Sequence, residues 1–203
     1  MDQVGIVILN WNDAVSTLEC LRSVFALDHP HCRVLVVDNG SVDDSVLQIR
    51  RAYPEIEILK TGSNLGYAGG NNVGIRQVLH DGCDYVWLLN DDVRAASDSL
   101  SALLRAASDR ARAGLLGPKV LLHEEPQRIL SVGGELTAGW RPRHRGMGDL
   151  DRGQFDKPVQ VDYLSGCALL VTRELTEAVG LLDERFFAYY EDIDLCYRAR
   201  QAG

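Results

Sequence analysis

The chain has 203 residues, 46% of them hydrophobic and 25% charged, with a formal net charge of −8. This is enough to bury a full core as one domain or little more. The acidic balance excludes a general nucleic-acid binder, whose affinity would come from Lys and Arg clustered against phosphates.

The N-terminus runs straight into an apolar strand with no basic leader. No stretch reaches the roughly 18 apolar residues of a membrane span, so a soluble chain is expected. Cys20, Cys32, Cys83, Cys167 and Cys196 are odd in number and widely spaced, which fits a reducing cytoplasm better than a disulfide framework or a zinc site.

In chain order, short β-rich runs alternate with segments of helical period. Val4 to Leu9 reads as a strand, Ala14 to Ala26 as a helix and Val34 to Val37 as a second strand. A helix over 43–53, a strand over 56–59, a helix over 69–79 and a strand over 85–89 continue the rhythm. Runs apolar on both faces and joined by helices predict a Rossmann-like, mostly parallel α/β sheet with helices on both faces. A helix over 99–108 precedes a single strand over 115–122. The Gly, Pro and Arg-rich stretch 123–158 reads as loop with a short hairpin. Order resumes at 161–164 and 168–171, then a helix near 174–179 and a last helix from about Asp192. The expected division is a nucleotide-binding type α/β half, 1–122, and a second half, 123–203, with the C-terminus cut short.

In open parallel sheets ligands bind beyond the carboxyl ends of the strands, where strand order reverses. Here those ends carry Asn10-Trp11-Asn12, Asp38-Asn39-Gly40-Ser41 and Asn90-Asp91-Asp92. Ser41 and Asp44 read as a capping-box variant opening the next helix. Asp38, just before them, is placed to accept from a base N–H or a ribose hydroxyl. A dinucleotide site needs glycines after the first strand, and Trp11 fills that turn; no P-loop pattern is present either. Oxygen side chains at 90–92 suit a hard divalent cation that takes its other ligands from phosphate and water.

Six blocks in order resemble the inverting GT-A glycosyltransferases of family 2, in their rhamnosyltransferase-like branch. They are Val7-Ile8-Leu9-Asn10-Trp11-Asn12, Val36 through Asp43, Asn64 through Gly74, Leu88-Leu89-Asn90-Asp91-Asp92, Asp162-Tyr163-Leu164-Ser165-Gly166, and Phe186 through Leu195. The resemblance implies the GT-A fold and a metal-dependent transfer of a sugar from a nucleoside diphosphate sugar, dTDP-rhamnose or a UDP-hexose, to an acceptor hydroxyl, in cell-surface polysaccharide or glycolipid synthesis. It implies Mg²⁺ or Mn²⁺ held by Asp92 and a general base at Asp192. Asn10, Asn12, Asp38, Gly69, Asn71, Asn90 and Asp91 are carried over to the nucleotide, and Gly166 and Glu191 to the acceptor or sugar region. Asn90 stands where many members have Asp, which removes one negative charge from the metal element. The Asn64 to Gly74 segment is expected to offer a helix N-terminus to the diphosphate, although Gly69 and Gly70 also read as close-packing positions.

Three carboxylates compete for the role of base. On a helix, Asp192 and Asp194 point about 200° apart, and Arg198 stands four residues after Asp194, the spacing of a surface ion pair. That leaves Asp192 free, at a helix start where the dipole favours an anion. Trp140-Arg141-Pro142-Arg143-His144-Arg145 reads as a solvated basic loop that could face a lipid-diphosphate acceptor or a membrane surface, a peripheral contact at the inner membrane face; the resemblance implies a saccharide or lipid-linked acceptor. The alternative is a catalytically idle sugar-nucleotide-binding module. A sugar-phosphate nucleotidyltransferase is disfavoured, because no Gly-rich, Arg-bearing loop follows the first strand.

Overall fold

The computed structural model describes residues 2–110 and 113–203. Its central sheet holds β1 (Val4–Asn10), β2 (Cys32–Asp38), β3 (Glu57–Lys60), β4 (Tyr85–Asn90), β5 (Leu115–Leu116) and β10 (Ala168–Thr172), in the order β3-β2-β1-β4-β10-β5. Strands β1 to β4 pair in parallel, whereas β10 runs antiparallel to both β4 and β5. Order therefore reverses at β1: β2 and β3 lie to one side and β4 to the other. The crevice this creates lies beyond Asn10 and Asn90.

Helices α1 (Ala14–Val24), α2 (Ser45–Ala52) and α4 (Ser99–Ser108) cover one face, where Leu21, Ile49 and Leu100 pack on Ile6, Ile8, Val36 and Trp87. Helices α3 (Gly66–His80), α5 (Arg173–Val179) and α6 (Glu191–Ala202) cover the other, where Ile75, Val78 and Leu195 meet Val7, Leu35, Val86 and Leu169. Strand residues alternate between the two clusters with the two-residue period of a pleat. Local signals set the helix ends: Asp13 accepts from the Ser16 N–H to cap α1, Thr172 caps α5 through Leu175, and Gly180, at φ 81°, ends α5.

Three expectations are corrected. The run 115–122 is two strands, β5 and β6 (Val120–Leu121), because Gly117-Pro118 interrupts it and proline has no N–H for a ladder. The stretch 123–158 contains the expected short hairpin, β8 (Gly134–Thr137) with β9 (Arg141–His144), which takes up the basic patch, and adds an unexpected strand, β7 (Ile129–Ser131), paired with β6. Residues 161–164 make a single bridge, Tyr163 to Gly134, and no strand. Two pairings, β10 with β4 and β6 with β7, cross the expected boundary at residue 122. Among the described residues, no helix is long and apolar enough to cross a membrane.

Helix α3 approaches β1 through glycines. A Cβ on Gly5 would lie 2.4 Å from Val78, one on Gly74 2.4 Å from Val7, and one on Gly70 2.5 Å from Leu9. The strand advances two residues for every four of the helix, so one seam holds the pair at nearly backbone contact. Gly74→Ala gains up to about 1 kcal/mol of helix propensity but overpacks the seam by about 1–3 kcal/mol. Val7 cannot yield, being fully buried on a strand paired on both sides. The net expectation is a loss of about 1–2 kcal/mol, read as a lower urea midpoint; an unchanged midpoint would mean that the helix slides off the seam freely.

Candidate active site

The carboxyl ends of β1 and β2 are laced together. Asn10 has no exposed surface: its amide donates to Asp38 Oδ1 (3.2 Å) and Ser41 Oγ (3.0 Å), and its carbonyl accepts from Thr17 Oγ1 (2.8 Å). Its side chain is thus committed to holding Asp38, not open to a ligand. Asp38 also accepts from the Ser41 N–H (3.3 Å). Asn12, at φ 54°, ties the two loops by donating its N–H to Ser41 Oγ (2.9 Å) and accepting from the Val42 N–H (2.8 Å). The capping box expected of Ser41 and Asp44 is not formed. Ser41 Oγ serves Asn10 and Asn12, Asp44 makes no side-chain cap bond, and Asp43 accepts from Ser45 instead.

At the end of β4, the Asn90 N–H donates to the Cys167 carbonyl (2.9 Å), while its side-chain Oδ1 is buried without a partner. Burial, and then the neighbouring Asp92 and Asp13, push the Asp91 carboxyl up to about 7. Asp92 is exposed. Among the described residues, no three His, Cys, Asp or Glu side chains are grouped to enclose a metal. The donors at 90–92 fit a hard cation on one condition, that diphosphate and water complete its shell; the orphaned Asn90 Oδ1 and the desolvated Asp91 are the groups such a cation would satisfy.

The second half of the chain brings Asp192 to this edge. Its Oδ2 accepts from the Gly166 N–H (2.9 Å) and its Oδ1 from Ile193 (2.8 Å), while Tyr67 Oη donates to the Gly166 carbonyl (2.6 Å). Cys167, the next residue, has its thiol pushed up by burial, with Asp92 and Asp192 both adding to the effect. Asp194 is bound to Arg198 at 2.7 Å, and Arg198 also holds the Val179 and Leu181 carbonyls. Asp192 does not cap α6. Tyr190 occupies that position in the left-handed region, and the Asp192 carboxylate reaches out of the helix to Gly166. Glu191 is 5% exposed with Oε2 unpartnered, and burial, with Asp192 adding to it, pushes it up to about 7. The three consecutive strand ends, Gly166 and the start of α6 thus form one acidic rim.

The start of α3 differs from expectation. The Leu65 N–H donates to Asn39 Oδ1 (3.0 Å), Gly66 to Asn64 Oδ1 (2.8 Å) and Ala68 to the Phe187 carbonyl (3.2 Å), so these amides are spent within the protein and do not await a diphosphate. A Cβ on Gly69 would meet only the Leu65 side chain closely, and Gly70 lies in the seam against Leu9. Asn71 is 1% exposed, donating to the Tyr67 carbonyl while its own Oδ1 lacks a partner. Sequence reading passed over Asn39 and Asn72. Asn39 clamps the Asn64–Gly66 turn; Asn72 both donates to and accepts from the backbone of Leu182 (2.9 and 3.1 Å). A buried asparagine inside an apolar segment was the available signal, but its partner 110 residues away had none.

The Glycosyl transferase family 2 model matches residues 5–180. The chain is 34% identical to an N-acetylglucosaminyl-diphospho-decaprenol L-rhamnosyltransferase of Mycobacterium tuberculosis, covering 100% of this chain and 72% of that protein. It is 26% identical to the dTDP-rhamnosyl transferase RfbF of Shigella flexneri, covering 97% and 63%. Among solved structures it resembles the mannosyltransferase PcManGT of Pyrobaculum calidifontis, solved with GDP-Man and Mn²⁺, at TM-score 0.67 and 18% identity; it covers 95% of this chain but spans only 50% of that one. The sheet and its helices are those of the GT-A fold.

Glu191 gives the site a pH signature. Its folded value of about 7 lies above its ordinary 4.5, so between those two pH values the folded chain binds more protons than the unfolded chain. Its contribution to stability is greatest below pH 4.5 and is lost as pH rises through 7. Glu191→Gln should flatten that part of the stability profile, leaving the share of Asp91, which has the same sign. Urea midpoints measured from pH 4.5 to 8 that fall equally in both proteins would place a different environment around Glu191.

Proposed function

The chain belongs to glycosyl transferase family 2, and from that premise we propose that it moves a sugar from a nucleoside diphosphate sugar to an acceptor hydroxyl with inversion at the anomeric carbon. One arrangement supports the reading: β2, β1 and β4 end side by side, so Asp38 and Asn90-Asp91-Asp92 share an edge of the sheet, and the bonds from Asn90 to Cys167 and from Gly166 to Asp192 tie the start of α6 to that edge, although 154 residues separate Asp38 from Asp192. The rhamnosyltransferase relatives favour dTDP-rhamnose as donor, with a UDP-hexose next, and a saccharide or lipid-linked acceptor of the kind that the mycobacterial name describes. Such an acceptor would be met on the cytoplasmic side of a membrane, through peripheral contact.

The crevice suits the step. Asp38, fixed by Asn10, receives a base N–H or ribose hydroxyl, and Asn12, exposed in the loop beside it, borders the nucleotide. The 90–92 element, Asp92 together with Asn90 Oδ1 and Asp91, would hold a divalent cation, Mg²⁺ or Mn²⁺, with the diphosphate, and the cation would supply neutralisation of charge on the leaving group. Asp192, steadied by the Gly166 N–H, takes the proton from the acceptor hydroxyl as that oxygen bonds to the anomeric carbon. The bond from that carbon to the diphosphate oxygen breaks with its electron pair leaving on phosphate, and the single displacement inverts the centre. No protein nucleophile is needed.

Asp192→Asn should keep the fold and nucleotide binding while lowering transfer by about 10²–10⁴-fold. A variant that retains more than about a tenth of wild-type turnover would sink the assignment and turn attention to Glu191. Chelation should weaken nucleoside diphosphate binding in the wild type and make little further difference in Asp92→Ala; calorimetry showing equal sensitivity in both would place the cation elsewhere. A catalytically idle module would bind the nucleotide sugar yet release no nucleoside diphosphate from it.

A further inference from the structure

Helix α6 lies along the segment 162–166 in register. Asp192 accepts from the Gly166 N–H, Cys196 Sγ accepts from the Leu164 N–H (3.3 Å), and Arg200 pairs with Asp162 (2.5 Å). Four helix residues advance about 6 Å, close to two residues of extended chain, so the contacts repeat without slippage. The third pair opens onto a groove of about 580 Å³ between α6 and the β8–β9 turn, lined by Leu136, Thr137, Trp140, Asp162, Tyr197 and Arg200.

The groove has an unusual wall. Trp140 is 66% exposed, its ring edge-on to Tyr197 with centroids 5.5 Å apart. Its backbone sits at φ 61° in the hairpin turn, a region that bulky side chains rarely occupy. Burial cannot explain a tryptophan held there, because most of its surface faces solvent. Asp162 is fixed from two sides, by the Leu136 N–H (2.9 Å) and by Arg200, whose guanidinium has further donors and a half-exposed side chain. An aromatic face beside a rigid, charged hydrogen-bonding pair matches a sugar ring, which has an apolar C–H face and a rim of hydroxyls.

We propose that this groove is the saccharide subsite for the acceptor: a pyranose ring stacks on Trp140, flanked by Tyr197, and its hydroxyls bond to Asp162 and Arg200. The proposal rests on the glycosyltransferase reading above. Eight residues of α6 separate Arg200 from Asp192, a rise of about 12 Å, so one acceptor molecule can lie in the groove and present a hydroxyl to the base. A second groove shares Asp162 and Arg200 and adds Glu135 and Arg145, so charged hydrogen-bonding groups of both signs continue the path on the acceptor side.

The chain's three tryptophans make the test internal. Trp11 stands exposed at the end of β1, Trp87 is buried in the sheet and Trp140 walls the groove. In spectra of the ¹⁵N-labelled chain, methyl glycosides of N-acetylglucosamine, rhamnose, mannose and galactose serve as probes, and UDP and dTDP are titrated separately with Mg²⁺ or Mn²⁺ present. At least one glycoside should shift the Trp140 indole signal saturably without moving that of Trp87. By saturation transfer, Trp140→Ala should weaken that glycoside about tenfold, while Trp140→Phe restores most of the affinity. A chain that binds a nucleotide but whose Trp140 signal no glycoside moves would overturn the proposal alone, as would a Trp140→Ala variant that binds glycoside as tightly as wild type. A chain that binds neither nucleotide would overturn the transferase reading and the proposal with it.

Discussion

The antiparallel pairing of β10 with β4 is the constraint on which the site depends. Strands β1, β2 and β4 bring Asn10, Asp38 and Asn90 to Asp92 to one edge of the sheet, and a β10 parallel to them would start at the opposite edge, carrying Gly166 away from it. Reversing β10 places Cys167 beside Asn90, joined by the bond from the Asn90 N–H to the Cys167 carbonyl, and so delivers Gly166 to the crevice. Gly166 then receives Tyr67 on its carbonyl and gives its N–H to Asp192. A side chain at 166 would crowd this junction, since its Cβ would lie 3.1 Å from Tyr67 Oη and 3.4 Å from Asp192 Cβ.

Two helices are held by the same geometric match. On α3, glycines let the helix fall against β1 at every fourth residue; on α6, Asp192, Cys196 and Arg200 meet Gly166, Leu164 and Asp162 at the same interval. The first match is apolar and brings the Asn64–Gly66 turn to Asn39. The second is polar and fixes the proposed base relative to the groove. Between them, Phe187, Tyr189 and Tyr190 all have positive φ, a concentration of backbone strain that the carbonyl of Phe187 helps to hold by bonding α3. Strain of this kind persists only where surrounding contacts over-determine it, and Tyr190, the last of the three, is the residue from which α6 starts.

Charge completes the picture. Asp91 and Glu191 are both displaced toward neutral pH by desolvation, each with an aspartate neighbour adding to the shift, while Asp194 is neutralised by Arg198 outside the crevice. A crevice that holds carboxylates in this condition favours a cation and an exchangeable proton, which agrees with sugar transfer from a diphosphate and disagrees with a site built to attract bare anions.

The sequence by itself determined the alternation of strands and helices, the polar strand ends and the separation of Asp192 from Asp194, because each of these is written in local period or in i to i+4 spacing. It also carried the family resemblance, block by block. Tertiary structure alone decided the rest. That Asn10 serves Asp38, that Ser41 abandons its helix for the first loop, that the start of α3 is closed by Asn39, Asn64 and Phe187, and that the basic run 140–145 is a hairpin beside α6 all depend on partners distant in sequence. Hydrogen-bonding capacity can be read from a residue type, but the partner that claims it is set by which segments the fold brings together.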